Sequence, residues 1–199
     1  MRRLIREHGP CLLVPDTGRS PFEALVRAVA HQQLHGKAAE SILGRFRALF
    51  PGKRFPSAEG LAAVSDDALR ACGFSRGKIA SLRDIAAKAI DGTIPNSRKI
   101  RTLPDAEIIE RLVQVRGVGR WTVEMLLIFK LGRPDVLPAD DFGVRNGFRI
   151  AFNLPAMPTP KELLLYGERW RPHATTAAWY LWRAADATKK VSPIAGANA

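Results

Sequence analysis

Asp141 follows Leu137-Pro138-Ala139-Asp140 and precedes Phe142-Gly143-Val144-Arg145. A carboxylate there has two readings. It can cap the helix that the next residues begin, because aspartate oxygens accept from first-turn amides. It can also face a reacting centre, where a fixed and dry carboxylate stabilises positive charge as a bond breaks. His31 and His35 stand four residues apart, a metal-ligand spacing if one helix carries both. Neither a general-base glutamate nor a third ligand accompanies them, so zinc is not expected. Cys11 and Cys72 are too far apart in sequence to form the grouped thiols of a disulfide framework, a zinc site or an iron–sulfur cluster. The chain presents no nucleophilic Ser or Cys constellation and no Walker loop.

Upstream of Asp141, an amphipathic stretch ends in Leu112-Val113-Gln114-Val115-Arg116 and passes through Gly117-Val118-Gly119 into Arg120-Trp121-Thr122-Val123. This reads as helix, tight turn, helix over 113–123. Glycines on both sides of one apolar residue permit positive φ and a close approach to another surface. Amides at the start of the second helix suit a phosphate oxygen, and Arg116 and Arg120 add charge. The alternative is an ordinary turn between two helices.

The elements that must position these residues are helical almost throughout. Pro21 opens a helix capped by Ser20, with Phe22, Leu25, Val26, Val29 and Ala30 at helical spacing. Helices follow over 37–50, 57–64, 65–71, 75–92, 104–115, 120–130, 141–152, 159–170 and 175–188. The second is expected to turn Ile42, Leu43, Phe46, Leu49 and Phe50 inward. The helix over 75–92 is expected to place Ile79, Leu82, Ile85, Ala86, Ala89 and Ile90 on one face. Alternating β-branched runs are nearly absent, so the fold class is all-α, about ten helices joined by short Gly and Pro turns. Residues 1–20 read as partly irregular and 189–199 as a flexible tail.

The chain has 199 residues, enough for one compact unit with a core over about 20–188. Lys and Arg number 31 against 19 Asp and Glu, a net +12 that points to a polyanionic partner, most often nucleic acid. The basic residues are dispersed, which favours a folded phosphate-tracking face over a basic tail. Membrane insertion is not expected, since no stretch reaches the length of a spanning helix. Met1-Arg2-Arg3 lacks the apolar run of a signal peptide. A reduced cytoplasmic compartment is expected, associated with the nucleoid if the source is bacterial.

The hairpin, then Pro138, then Asp141, with Val144 three residues on and Arg145 four residues on, resembles the HhH-GPD superfamily of DNA glycosylases. The likeness is to its AlkA-type DNA-3-methyladenine glycosylases over roughly residues 20–185. It is carried also by Glu168-Arg169-Trp170-Arg171-Pro172 and by Trp179-Tyr180-Leu181-Trp182. The chain reads as a compact form without the N-terminal β-domain of the larger enzymes.

The resemblance implies a two-lobed helical glycosylase fold, with the active-site cleft between the lobes. It implies excision of alkylated purines such as 3-methyladenine and 7-methylguanine from double-stranded DNA, by a monomer that flips the base and starts base excision repair. Asp141 is then catalytic. Gly117, Val118, Gly119, Arg120 and Thr122 grip the DNA backbone. The carbonyls of Val113, Val115 and Val118 hold a monovalent cation, Na+ or K+, and no cofactor serves catalysis. Trp121 and Trp182 line the base pocket, where electron-rich rings attract a cationic base. Met125 joins them where relatives carry a pocket tyrosine, which leaves this pocket one aromatic poorer. Trp170 and Trp179 read as core. Leu34, with Gln33 beside it, matches the wedge that fills the vacated stack. The alternative for Leu34 is core packing, and Gln32, Gln33 and His31 alternatively line the opposite strand or the pocket floor.

Bifunctional members of the superfamily carry lysine after the Gly-Val-Gly-Arg stretch, as a Schiff-base nucleophile. Trp121 stands there, so glycosylase without lyase activity is implied. The C-terminal cysteine cluster of some members is missing. Two other readings remain: a non-catalytic hairpin protein that only binds DNA, and a glycosylase for another base lesion.

Overall fold

The computed structural model describes residues 1–191, with side chains through residue 187. Residues 192–199 of the expected tail, and the side chains of 188–191, lie outside the described residues. In chain order the helices are α1 (Arg2–His8), α2 (Pro21–His31), α3 (Gly36–Ala48), α4 (Ala58–Ala63), α5 (Asp66–Ala71) and α6 (Arg76–Ile90). Then come α7 (Lys99–Thr102), α8 (Asp105–Leu112), α9 (Arg120–Leu126), a π-turn (Leu127–Leu131) and α10 (Phe142–Ala151). The last are α11 (Pro160–Gly167), a 3-10 turn (Glu168–Trp170) and α12 (Ala174–Val191). Among the described residues there is no strand, and the all-α class holds.

Short polar side chains start these helices where the sequence places them. Ser20, Ser57, Ser65 and Ser75 each accept an amide three residues ahead through the hydroxyl oxygen. Thr159 and Glu162 form a reciprocal capping box on α11. Residues 2–8 form a helix and 9–20 do not, as the partly irregular reading of that stretch allows. Two expectations need correction. α3 stops at Ala48, so Leu49 sits at its C-cap and is exposed. Ile90 closes α6 and is exposed too, because the last residue of a helix has left the packed face.

The backbone divides into two units. One comprises Asp16–Leu126 and holds α2 through α9. Phe46 is fully buried there, with the rings of Phe50, Phe55 and Phe74 meeting it edge-on within 5.4–5.8 Å. Leu25, Leu43, Leu61, Leu69 and Leu82 are fully buried in the same unit. The other unit comprises Met1–Pro15 with Leu127–Ala199. Its core gathers Leu4, Val144, Phe148, Leu163, Trp179 and Leu181. Within it α10 and α12 pack closely, because Gly147 offers no side chain: a Cβ there would overlap the Leu181 carbonyl. Among the described residues no helix is long and apolar enough to cross a membrane.

Candidate active site

In the Asp16–Leu126 unit the turn between α8 and α9 is held by hydrogen bonds from elsewhere in the chain. Gly117 adopts φ 76°, and Val118 N–H donates to Val115 C=O at 3.0 Å. A Cβ at Gly117 would lie 2.5 Å from Ser81 Oγ on α6. Gly119 lacks positive φ, contrary to expectation, and a Cβ there would meet nothing within 4 Å. The two glycines therefore serve different ends: Gly117 makes the turn, and Gly119 keeps a surface open.

α6 clamps the same turn. Asp84 Oδ2 accepts Arg116 N–H at 2.7 Å and the Lys88 ammonium at 2.7 Å. Lys88 Nζ also donates to Gln114 C=O at 2.6 Å. Burial alone would raise the Asp84 carboxyl, but the Arg116 amide and the Lys88 ammonium hold it below the usual aspartate value. From the end of α2, Gln32 Nε2 donates to Gly117 C=O at 2.7 Å. Spacing could not reveal these partners, because Gln32 is 85 residues from Gly117.

The ladder of α9 begins with Val123 N–H donating to Gly119 C=O at 3.2 Å. The Gly119 and Arg120 amides precede that ladder and belong to the positive end of the helix. Val118 and Thr122 are buried, so their side chains are not presented at the surface. Arg120 is exposed, and its Nε donates to Glu124 Oε1 at 2.9 Å. Glu124 was missed, although its spacing from Arg120 is that of a helical ion pair.

The loop after α2 places Leu34 at the surface, 39% exposed, and Gln33 at φ 57°. A non-glycine residue at positive φ is uncommon and is held only where its surroundings enforce it. Here they do: Gln32 is bonded to the turn, and His31 Nε2 lies 3.1 Å from Glu40 Oε1. His31 ends α2 while His35 caps α3, so the two histidines do not share a helix and the metal spacing dissolves. Trp121 is 48% exposed on α9, and Met125 is half-buried on the same helix.

In the other unit Asp141 caps α10. Its Oδ1 accepts Val144 N–H at 2.8 Å and Trp182 Nε1–H at 2.8 Å. The cap reading of Asp141 is thus met, and the same bonds fix the orientation of its carboxylate. Phe129, on the π-turn, stacks on Trp182 with centroids 5.6 Å apart and 29° between the planes. Phe142 stands beside Asp141 and is exposed. Neither phenylalanine was singled out in the sequence. Trp179 is buried, as expected, and Trp170 is half-buried against Phe148 and Tyr166.

Residues 26–172 match the family described as HhH-GPD superfamily base excision DNA repair protein. DNA-3-methyladenine glycosylase 1 of Schizosaccharomyces pombe is 49% identical over 178 residues, covering 88% of this chain and 78% of the relative. A solved structure of the 3-methyladenine DNA glycosylase of that yeast, in complex with abasic DNA, superposes with a TM-score of 0.79. It is 46% identical and the match covers 92% of this chain and 89% of that one. A DNA-3-methyladenine glycosidase of Bacillus halodurans gives a TM-score of 0.86 at 34% identity, over 96% of this chain and 86% of that one.

Proposed function

Because the chain belongs to the HhH-GPD superfamily of base excision DNA repair proteins, we propose that it is a monofunctional DNA N-glycosylase that excises alkylated purines. The observation that carries this reading is the Asp141 carboxylate, fixed by the α10 amide and the Trp182 indole in a chain of this family. The enzyme works as a monomer on double-stranded DNA in the cytoplasm.

The chemistry asks for no strong general acid. An N3- or N7-alkylated purine already carries positive charge. When the C1′–N bond breaks, the electron pair leaves with the purine, which departs neutral, and the sugar becomes oxocarbenium-like. Asp141 stabilises that cation and guides a water whose oxygen bonds to C1′ while its proton passes to the Asp141 carboxylate and from there to solvent. Trp121, with Met125 as an apolar neighbour on α9, and Trp182 on α12 each offer an aromatic surface suited to a cationic base. Leu34, presented by the strained Gln33, fills the vacated stack. The stretch of Gly117, Val118, Gly119, Arg120 and Thr122 meets the phosphate backbone, with the Gly119 and Arg120 amides at the start of α9 facing it while Val118 N–H closes the turn. An indole cannot form a Schiff base, so Trp121 leaves the enzyme without lyase activity.

The carbonyls of Val113, Val115 and Val118 are hard oxygen donors, the ligand type that suits Na+ or K+. Val113 caps α8 and Val115 C=O lies within the turn, so their placement fits a cation at the hairpin. Such an ion would supply positive charge toward a phosphate.

The test is base release from DNA methylated with dimethyl sulfate. We expect the native chain to free 3-methyladenine or 7-methylguanine without cutting the strand. Asp141→Asn is expected to abolish release while retaining DNA binding, because asparagine still caps α10. A native chain that binds DNA but frees neither base would overturn the reading.

A further inference from the structure

Trp182 meets Asp141 through its nitrogen. The bond from Nε1–H to Oδ1 is 2.8 Å, and the same oxygen takes the Val144 amide. Two donors on one oxygen fix the torsion of the carboxylate more tightly than a cap bond alone. The indole is in turn confined. Phe129 stacks on it from the π-turn, a geometry that is rare and recurs at functional sites. Gly143 makes room for it: a Cβ there would lie 2.9 Å from Trp182 Cδ1 and 3.1 Å from Asp141 Oδ1. One turn along, Gly147 lets α10 approach the backbone of Leu181, the residue before Trp182 on α12. An irregular turn and two glycines thus have the geometry that one hydrogen bond requires.

We propose that Trp182 is a positioning residue, whose indole N–H orients Asp141 for cleavage of the glycosidic bond, and that Phe129 and Gly143 serve that bond. The proposal rests on the glycosylase reading above. It assigns to Trp182 a role distinct from stacking on the base, and the two are separable: phenylalanine keeps an aromatic face and loses only the donor. As the C1′–N pair leaves with the purine, positive charge grows at one point of the sugar, C1′ and its ring oxygen. A carboxylate free to turn away from that point stabilises it less, although the ground-state complex is unchanged.

The experiment compares native protein, Trp182→Phe and Gly143→Ala on a duplex carrying one 7-methylguanine, under single-turnover conditions. Affinity is taken from the enzyme concentration that half-saturates excision on that same duplex, so that any hold of the ring on the base is included. We expect Trp182→Phe to lose roughly tenfold or more in the excision step, as for a hydrogen bond to a charged group, with affinity kept within about twofold. Gly143→Ala should mimic it, and the double variant should be little worse than either single one, since both remove the same bond. An unchanged excision step in Trp182→Phe would overturn the proposal. So would an equal loss of rate and affinity, which would mean that the ring only holds the base.

The hydrogen bond has a readout that needs no activity. The Trp182 indole N–H resonance, assigned by its disappearance in Trp182→Phe, should move upfield in Asp141→Asn, because a neutral carbonyl is the weaker acceptor. A resonance that does not move overturns the bond. Failure of the glycosylase reading looks different: the native chain would release no base while the indole resonance still responded to residue 141.

Discussion

Gly117 and Gly119 flank one valine and look interchangeable on the page, yet only the first is bound to its conformation. Gly117→Ala would place a Cβ 2.5 Å from Ser81 Oγ on a backbone at φ 76°. The backbone strain and the clash together predict a loss of about 1–3 kcal/mol in denaturant unfolding. Gly119→Ala meets open space at ordinary φ, so its stability should stay within roughly 0.5 kcal/mol of native. Its effect should fall on DNA binding, measured by fluorescence anisotropy, because a methyl group there holds off whatever approaches the turn. Equal stability losses in the two variants would show that the turn is not confined in the way described. Asp141 teaches a related lesson at this scale. Its cap role follows from the local sequence, but its bond to Trp182 spans 41 residues and depends on how two helices cross. Periodicity cannot report such a partner.

At the scale of elements, the hairpin takes its shape from α6 as much as from its own glycines. Asp84 is the centre of that clamp, and the sign of its titration gives a test. The folded carboxyl titrates below its ordinary value, so its stabilisation is complete above the usual aspartate range. It is lost as pH falls through the folded-state value. The stability gap between native protein and Asp84→Asn should therefore be widest near neutrality and shrink on acidification, by unfolding titrations at several pH values. A gap independent of pH would deny Asp84 this part. The crossing of α10 and α12 supplies another prediction. Gly147→Ala forces a Cβ into the Leu181 carbonyl, and backbone cannot rotate away as a side chain can. We expect a cost of about 3 kcal/mol or more in thermal or denaturant unfolding. Most of the helices were legible in the sequence because serine caps stand ahead of apolar spacing, as in α2 and α6, and glycine follows the ends of α5 and α6. The π-turn and the four-residue α7 were not. A single widened turn leaves no period to detect, and α7 is too short to show one. The exposed placement of Leu34 was anticipated, but not the positive φ of Gln33 beside it, which tertiary bonds from Gln32 and His31 enforce.

The whole molecule carries +12, and that charge should decide how the protein finds DNA more than what it does there. Each phosphate that Lys or Arg neutralises releases condensed counterions, so affinity falls as a power of salt concentration. A footprint neutralising about five phosphates would lose roughly 500-fold in affinity between about 50 and 200 mM salt. Undamaged duplex should show nearly the same slope as methylated duplex, since both present the same backbone. The chemical step should behave otherwise. On the proposed reading Asp141 would act on charge that develops in a site closed to water, where mobile ions screen little. Excision measured with enzyme in saturating excess should then change only slightly over the same range of salt, while excision under limiting enzyme falls with affinity. Titrations by anisotropy and single-turnover release, run in parallel on one duplex, separate the two effects. Salt-independent binding would mean that the dispersed basic residues form no phosphate-gripping face. A saturated excision step that falls as steeply as binding would place bulk electrostatics in the chemistry itself, and the carboxylate-centred account of catalysis would not survive it.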